Sequence, residues 1–228
     1  LIGMQIETDP FNLWVAADSR EAYERQFFNS HFGGGFYRTA QLFVVNDDAA
    51  NEDSDDSAVL QSYSTLEWLK SVEQRVADIR TPVLQDSLHS FCLKPVNDAC
   101  VVESVTQYGV GDTPQWKTRL QNCVKQPVNC LPRFQQPIDP QIIFGGADDI
   151  ESPEELVNSP ALVPTWVLQN SEDNGYKFRV EEWEEQVEHF LANTVAEEAA
   201  SKGLRISYNV ESSLERELGR SGLSDIHI

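Results

Sequence analysis

The chain has 228 residues, 40% of them hydrophobic, with 5 Trp, 11 Phe and 6 Tyr, so it can bury a sizeable core and does not have the composition of a disordered segment. Its 37 acidic against 17 basic residues give a formal charge of −20, a field that repels phosphate backbones and anionic lipid headgroups and disfavours nucleic acid or a membrane surface as partner. Basic partners, or an acidic compartment that protonates some of the carboxylates, suit it better. It has no apolar run of about 18 residues, the length that marks a membrane-spanning helix. The start LIGMQIETD is no signal peptide, and without a leading Met it reads as a piece of something larger.

The stretch Glu7–Leu42 carries a Trp, five Phe, two Tyr and the run Gly33–Gly35. Asp18-Ser19-Arg20-Glu21 is a capping-box start, and Ala22, Tyr23, Phe27 and Ser30 follow at helical spacing up to a stop at Gly33. Tyr37–Val45 reads as a strand. The glycines therefore sit in a helix-to-strand corner, the reverse of the order a phosphate-binding loop requires, and no Lys-Ser/Thr follows them. The aromatics of this stretch are read as packing.

Residues 46–57, NDDAANEDSDDS, cannot pack and form an exposed loop; Asp53 and Asp55 lack the Gly and Glu of a calcium-binding loop. Ser64 and Glu67 form a second capping box. The stripe Leu66, Leu69, Val72/Glu73, Val76 and Ile79 predicts a helix that stops before Pro82. Cys100–Tyr108 reads as a short helix, Tyr108–Gln115 as a loop, and Pro127–Asp149 as mostly irregular. A strand at about Leu162–Gln169 is interrupted by Pro164, which favours an edge or a bulge. Val180–Lys202 is the clearest helix, acidic at its start and closed by Gly203; Leu204–Val210 alternates as a strand, and Ser212 with Glu215 begins a last helix. This order fits an α+β fold of ferredoxin-like type, a split βαβ core with helical insertions and two protruding loops. The whole chain, 1–228, would form one domain with an irregular insertion at about 82–150.

The four cysteines fall as two local pairs, Cys92 with Cys100 and Cys123 with Cys130, without zinc-ribbon or redox spacing. Local disulfides are one reading and free thiols in a cytosolic protein the other. No nucleophile elbow, HExxH, nucleotide loop or dinucleotide fingerprint occurs, and His31, His89, His189 and His227 lie far apart. Neither a metal nor a cofactor is expected. Adjacent carboxylates such as Glu154/Glu155 and Glu184/Glu185 are what a chain this acidic contains by chance, so catalysis is not expected either.

Three stretches together carry a family resemblance. TDPxxLW leads to a helix ending in FFxxHFG and an aromatic-Arg-Thr-x-Gln-Leu strand; Leu84-x-Asp86, Phe91-Cys92-Leu93-Lys94-Pro95, Cys100 and Ser104 follow; Ser207–Leu218 closes. The run resembles the middle lumenal domain of Niemann-Pick type C membrane proteins, sterol transporters of the resistance-nodulation-division superfamily related to Patched. The resemblance implies a ferredoxin-like domain, transmembrane helices flanking it in the parent, disulfides within both cysteine pairs, and a lumenal address in a lysosome or vacuole. No N-x-Ser/Thr sequon is present, which points to a divergent, fungal member.

The resemblance further implies docking of the pathway's small soluble sterol carrier by two protruding loops, so that sterol passes to the parent's N-terminal domain. By position these loops are Asn46–Tyr63 and Tyr108–Thr118. The family's Tyr-Pro and Phe-Phe tips are missing, and the contact candidates are Val59, Leu60, Tyr63, Val110, Pro114 and Trp116, chosen for position and exposed apolar character. Tyr63 and Trp116 read equally as core residues of adjacent helices. An acid hydrolase built on paired carboxylates and a structural spacer are the competing functions.

Overall fold

The computed structural model describes residues 13–32, 37–47, 58–111, 114–146, 152–171 and 173–224. The central strand is β1 (Arg38–Asn46), whose residues alternate between buried and half-buried. On one side it pairs antiparallel with β6 (Leu204–Val210) over the register Ala40↔Val210 to Asn46↔Leu204. On the other it pairs with β5 (Thr165–Leu168), which in turn pairs with the short β2 (Val102–Glu103). The helix α2 (Tyr63–Asp78) joins β1 to the β2 side, and α7 (Asn174–Phe190) joins β5 to β6. The order β6–β1–β5–β2, all antiparallel, is the split βαβ arrangement of a ferredoxin-like α+β fold.

Pro164 falls within the sheet. It divides one strand into β4 (Ala161–Leu162) and β5, both paired with β1. The Pro164 carbonyl accepts from Leu42 N–H at 3.0 Å, so the ladder bridges the break. The missing N–H of proline is tolerated because the break supplies the irregular position that an edge would otherwise provide.

Helix α1 (Arg20–Phe32) starts where the sequence reads it, with Ser19 Oγ accepting from Ala22 N–H at 3.2 Å. The aromatics in and beside this helix correct the reading as packing. Trp14, Tyr23, Phe27 and Tyr37 are exposed, and Phe27 stacks on His31 within its own helix. Charged and amide residues, Glu21, Glu24, Arg25 and Gln26, are interleaved with the aromatics, so no apolar stripe forms to seat the helix on the core. The glycines 33–35 and the carboxylates Asp53 and Asp55 lie outside the described residues.

The insertion after α2 is more regular than expected. It holds α3 (Leu88–Phe91), β2, a 3-10 turn at Val105–Tyr108 in place of the expected helix from Cys100, α4 (Trp116–Lys125), a second 3-10 turn at Pro127–Asn129, α5 (Pro140–Ile143), β3 (Phe144–Gly145) and α6 (Pro153–Val157). Both local disulfides are formed, Cys92–Cys100 and Cys123–Cys130. The first ties down a segment that runs along β5, where Leu93 N–H donates to the Val167 carbonyl and Val101 N–H to the Leu93 carbonyl, each at 2.9 Å.

Helix α7 begins at Asn174, earlier than Val180, because Asp173 Oδ1 caps Tyr176 N–H at 2.7 Å. It runs through a π turn at Leu191–Val195 into α8 (Ala196–Ala200). The buried stripe Val187, Leu191, Val195, Ala199 recurs every fourth residue. In a regular α-helix that spacing drifts by about 40° per step; the wider π turn absorbs the drift and keeps the stripe on the core. The last helix, α9 (Ser213–Ser224), follows β6.

Candidate docking surface

The two loops expected to dock a partner have their roots in contact, where Tyr63 meets Val110 and Trp116. Loop 1 returns to the core at Ala58, and its tip lies outside the described residues. Val59 and Leu60 are 1% and 0% exposed, so the expectation that they present apolar surface fails. Val59 N–H donates to the Ser159 carbonyl at 3.1 Å and Asn46 Nδ2 to the Ala58 carbonyl at 3.4 Å. These contacts tuck the two side chains beneath the start of α2, where they anchor the loop. A polar cavity of about 280 Å³ lies beside this root, lined by Asn46, Val59, Ser62, Thr65, Lys202 and Leu204 among others.

Helix α2 begins one residue before the expected capping box, and Ser62, at its cap, makes no side-chain cap bond. The early start places Tyr63 in the first turn, directed at loop 2. Its ring meets Trp116 edge-on with centroids 6.2 Å apart, and its hydroxyl reaches the Val110 carbonyl at 3.5 Å. Tyr63, Val110 and Trp116 are half-buried and pack against the core, while Pro114 is exposed. Of the six apolar candidates the structure thus unites three, leaves Pro114 at the surface beside them, and buries two. Residues 112–113 at the loop's tip lie outside the described residues. Lys117 Nζ lies 5.6 Å from the Trp116 ring centroid and puts a positive charge on this rim.

Loop 2 is held from both sides. On its N-terminal side the 3-10 turn closes on Gly109, which takes the left-handed φ of 63°. Tyr108, buried in that turn, donates its hydroxyl to the Ile138 carbonyl at 3.2 Å. Burial, with Asp139 nearby, pushes its ionisation above the ordinary tyrosine range, so the hydroxyl remains a donor. On its C-terminal side Trp116 opens α4, whose buried Cys123 is tied to Cys130. The disulfide at Cys92–Cys100 precedes the loop and the one at Cys123–Cys130 follows it.

Beneath the 3-10 turn lies a group to which the sequence gives a place on the stripe of α2 but no role. Glu73 on α2 is buried, and its carboxylate accepts from Ser104 Oγ and Thr106 Oγ1, each at 2.5 Å, and from Gln107 Nε2 at 3.2 Å. Burial pushes its carboxyl above the usual range, and the three hydrogen bonds offset this only in part. Its signal was a polar residue interrupting the apolar stripe of α2 between Val72 and Val76.

A separate acidic cleft of about 390 Å³ lies between α7 and α9, lined by Phe178, Glu181, Glu182, Glu185, Ser212, Glu215 and Arg216. It bears on the hydrolase reading. Lys177 approaches Glu181 at 3.7 Å and Glu215 at 3.4 Å, and burial raises the Glu181 carboxyl above its usual range. Among the described residues no group of His, Cys, Asp and Glu is arranged to hold a metal ion, and no helix is long and apolar enough to cross a membrane.

Comparison with known proteins bears on the whole chain. A family profile described as NPC1, middle luminal domain, matches residues 25–212. NPC intracellular cholesterol transporter 1 of Sus scrofa is 27% identical over 267 residues, covering 99% of this chain and 20% of that protein. The homolog 1b of Drosophila melanogaster is 28% identical over 245 residues, covering 93% and 19%. NPC1-like intracellular cholesterol transporter 1 of Homo sapiens is 25% identical over 274 residues, covering 100% and 20%. The chain spans about a fifth of the length of these relatives. With the split βαβ sheet, two local disulfides and a match over most of its length in agreement, the chain belongs to the NPC1 middle luminal domain family.

Proposed function

We propose that this chain is a non-enzymatic docking domain of an intracellular sterol transporter, facing the lumen of a lysosome or vacuole. It binds the small soluble Niemann-Pick type C sterol carrier so that sterol, cholesterol or ergosterol, passes to the parent's N-terminal domain and on into the membrane. The observation that carries this reading is the Tyr63–Trp116 contact, which joins the roots of both loops into one half-buried aromatic and apolar rim. Such a rim, with Pro114 exposed beside it, has the make-up of an interface anchor. The relatives' names, which speak of cholesterol transport, support the cargo. The acidic surface supports a basic face on the carrier and faster association at low salt.

The acidic cleft favours the hydrolase reading only by its lining. Glu181, Glu182 and Glu185 stand on one helix and Glu215 faces them from α9, but Lys177 sits between Glu181 and Glu215 and, with Arg216, neutralises part of the field. Catalysis by paired carboxylates needs an acid and a base converging on one bond from opposite sides.

The test is a calorimetric titration of the chain with the carrier, loaded and empty, at mildly acidic pH and low salt. Saturable binding that weakens with salt is expected. Absence of heat and of complex with both forms of the carrier would remove the proposal and leave the structural spacer.

A further inference from the structure

We propose that Glu73 is the positioning residue of this docking surface: a proton held in a ring of Glu73, Thr106 and Ser104 locks the root of loop 2 onto α2, and its loss loosens that root. The inference rests on the reading of loop 2 as a docking element. It adds a control that neither the fold nor the family match supplies.

The geometry closes with one proton added. Thr106 Oγ1 lies 2.5 Å from Glu73 Oε2, Ser104 Oγ lies 2.5 Å from Glu73 Oε1, and the two hydroxyl oxygens are 3.4 Å apart. When Glu73 is protonated, Oε2–H donates to Thr106 Oγ1, the Thr106 hydroxyl donates to Ser104 Oγ, and the Ser104 hydroxyl donates to Oε1. Each oxygen of the ring then donates or accepts in turn, and no charge is buried. Gln107 Nε2 lies 3.3 Å from Thr106 Oγ1 as well as near Oε2, so it retains an acceptor in either state.

Without the proton both hydroxyls point at the carboxylate and a full negative charge sits in the core. Among the described residues no cation contacts it. Lys70, an exposed residue one turn earlier on α2, acts on it only at a distance. Its contacts from the β2 side and the 3-10 turn, Ser104, Thr106 and Gln107, are neutral. Helix α3, which also packs on α2, buries Leu88 and Phe91 and leaves its one titratable group, His89, exposed and paired with Asp98. A buried carboxylate satisfied only by neutral donors is costly, and the cost falls on whichever element opens most readily to let water in. That element is the turn Val105–Tyr108, four residues long and followed by the positive-φ Gly109. The turn leads directly to Val110, whose carbonyl meets Tyr63, and so into loop 2.

Amide hydrogen exchange on the chain alone tests the proposal, with rates referenced to their intrinsic values. Protection at Thr106–Val110 is expected to fall as pH rises from about 5 to about 7.5, by about tenfold for each unit that separates the two forms, while amides in α7 change less. Glu73→Gln reproduces the protonated ring, its carbonyl accepting from Ser104 and its amide donating to Thr106. It should show at both pH values the protection that the parent chain shows in acid. A side-chain carboxyl titration of Glu73 by 13C NMR on the unaltered chain should share its midpoint with the protection change, which keeps the test valid if the variant folds poorly. A pH response that persists in Glu73→Gln, or a carboxyl midpoint separate from the protection midpoint, overturns the proposal. Because no carrier is present, either result leaves the docking reading to stand or fall on the titration.

Discussion

Arg38 and Glu184 meet in the core with two hydrogen bonds of 3.0 Å each, and Glu184 also accepts from the backbone N–H and hydroxyl of Ser212. The pair fastens β1 to α7 and to the entry of α9. The last helix starts at Ser213, directly after Ser212, as the sequence reads it, so the Ser212 hydroxyl that donates to Glu184 stands at the head of that helix. Removing Glu184 leaves the buried Arg38 with only the longer approach of Glu181 at 4.0 Å. Glu184→Ala is expected to cost about 3–5 kcal/mol, read as a lowered urea midpoint; a loss below about 1 kcal/mol, the range of an exposed pair, would contradict this. Gly109 gives a finer test. An added Cβ there meets nothing within 4 Å, so only the φ of 63° opposes Ala, and Gly109→Ala should cost about 1–2 kcal/mol from backbone strain alone. A neutral effect in the same unfolding measurement would show that the turn relaxes. Val59 and Leu60 show the limit of reading single residues. Two apolar side chains beside an acidic loop look like a loop tip in sequence, and only the ladder from Asn46 and Ser159 turns them inward.

Elements that bury a regular stripe were legible. Helix α2, the long helix beginning at Asn174 and β6 announce themselves through periodicity, the split strand around Pro164 through a mostly apolar run buried at all four positions of β5, and their order carries the split βαβ topology. The insertion was not legible in the same way. Its short strands β2 and β3 have two residues each and borrow their conformation from β5 and β4, so no local pattern marks them. The π turn at Leu191–Val195 was likewise hidden, although a four-residue repeat of buried positions signals it in retrospect. The candidate surface was legible by position, through its resemblance, and not by composition. Its Tyr63–Trp116 core depends on α2 starting two residues earlier than its capping box indicates. At this scale the Cys123–Cys130 disulfide should stabilise the C-terminal root of loop 2. Replacing both cysteines by Ser is expected to cost about 2–3 kcal/mol by the chain-entropy account and to raise amide exchange in α4 more than in α2. Equal changes in the two helices would refute a local role.

Across the described residues, six carboxylates fall into two groups that respond to pH in opposite senses. Burial raises Glu73, Glu103 and Glu181 above the ordinary range. Their contribution is complete below the unfolded-state value and is lost as pH rises through the folded one. Hydrogen bonds from Arg179, Lys94 and Arg75 lower Asp86, Asp98 and Glu198 respectively. Their contribution is present above the unfolded-state value and is lost as pH falls through the folded one. Asp98 is a surface group and adds little; the Asp86–Arg179 and Glu198–Arg75 pairs are partly exposed and screened. Relief of self-repulsion at a net charge of −20 adds to the first group. Stability should therefore peak in mild acid, with urea midpoints higher at about pH 5 than at about pH 7.5 and lower again near about pH 3. A midpoint that climbs steadily to neutral pH would contradict the assignment of Glu73 and its companions.

The central claim is that one surface, built from the roots of two loops, receives the carrier. A hydrogen-exchange footprint of the chain with and without the small sterol carrier, at mildly acidic pH, tests it most directly. The account predicts protection concentrated at Tyr108–Thr118 and at the start of α2 around Tyr63, weakened by Trp116→Ala. Protection centred instead on the exposed aromatics of α1 or on the acidic cleft between α7 and α9, with residues 108–118 unchanged, would contradict it.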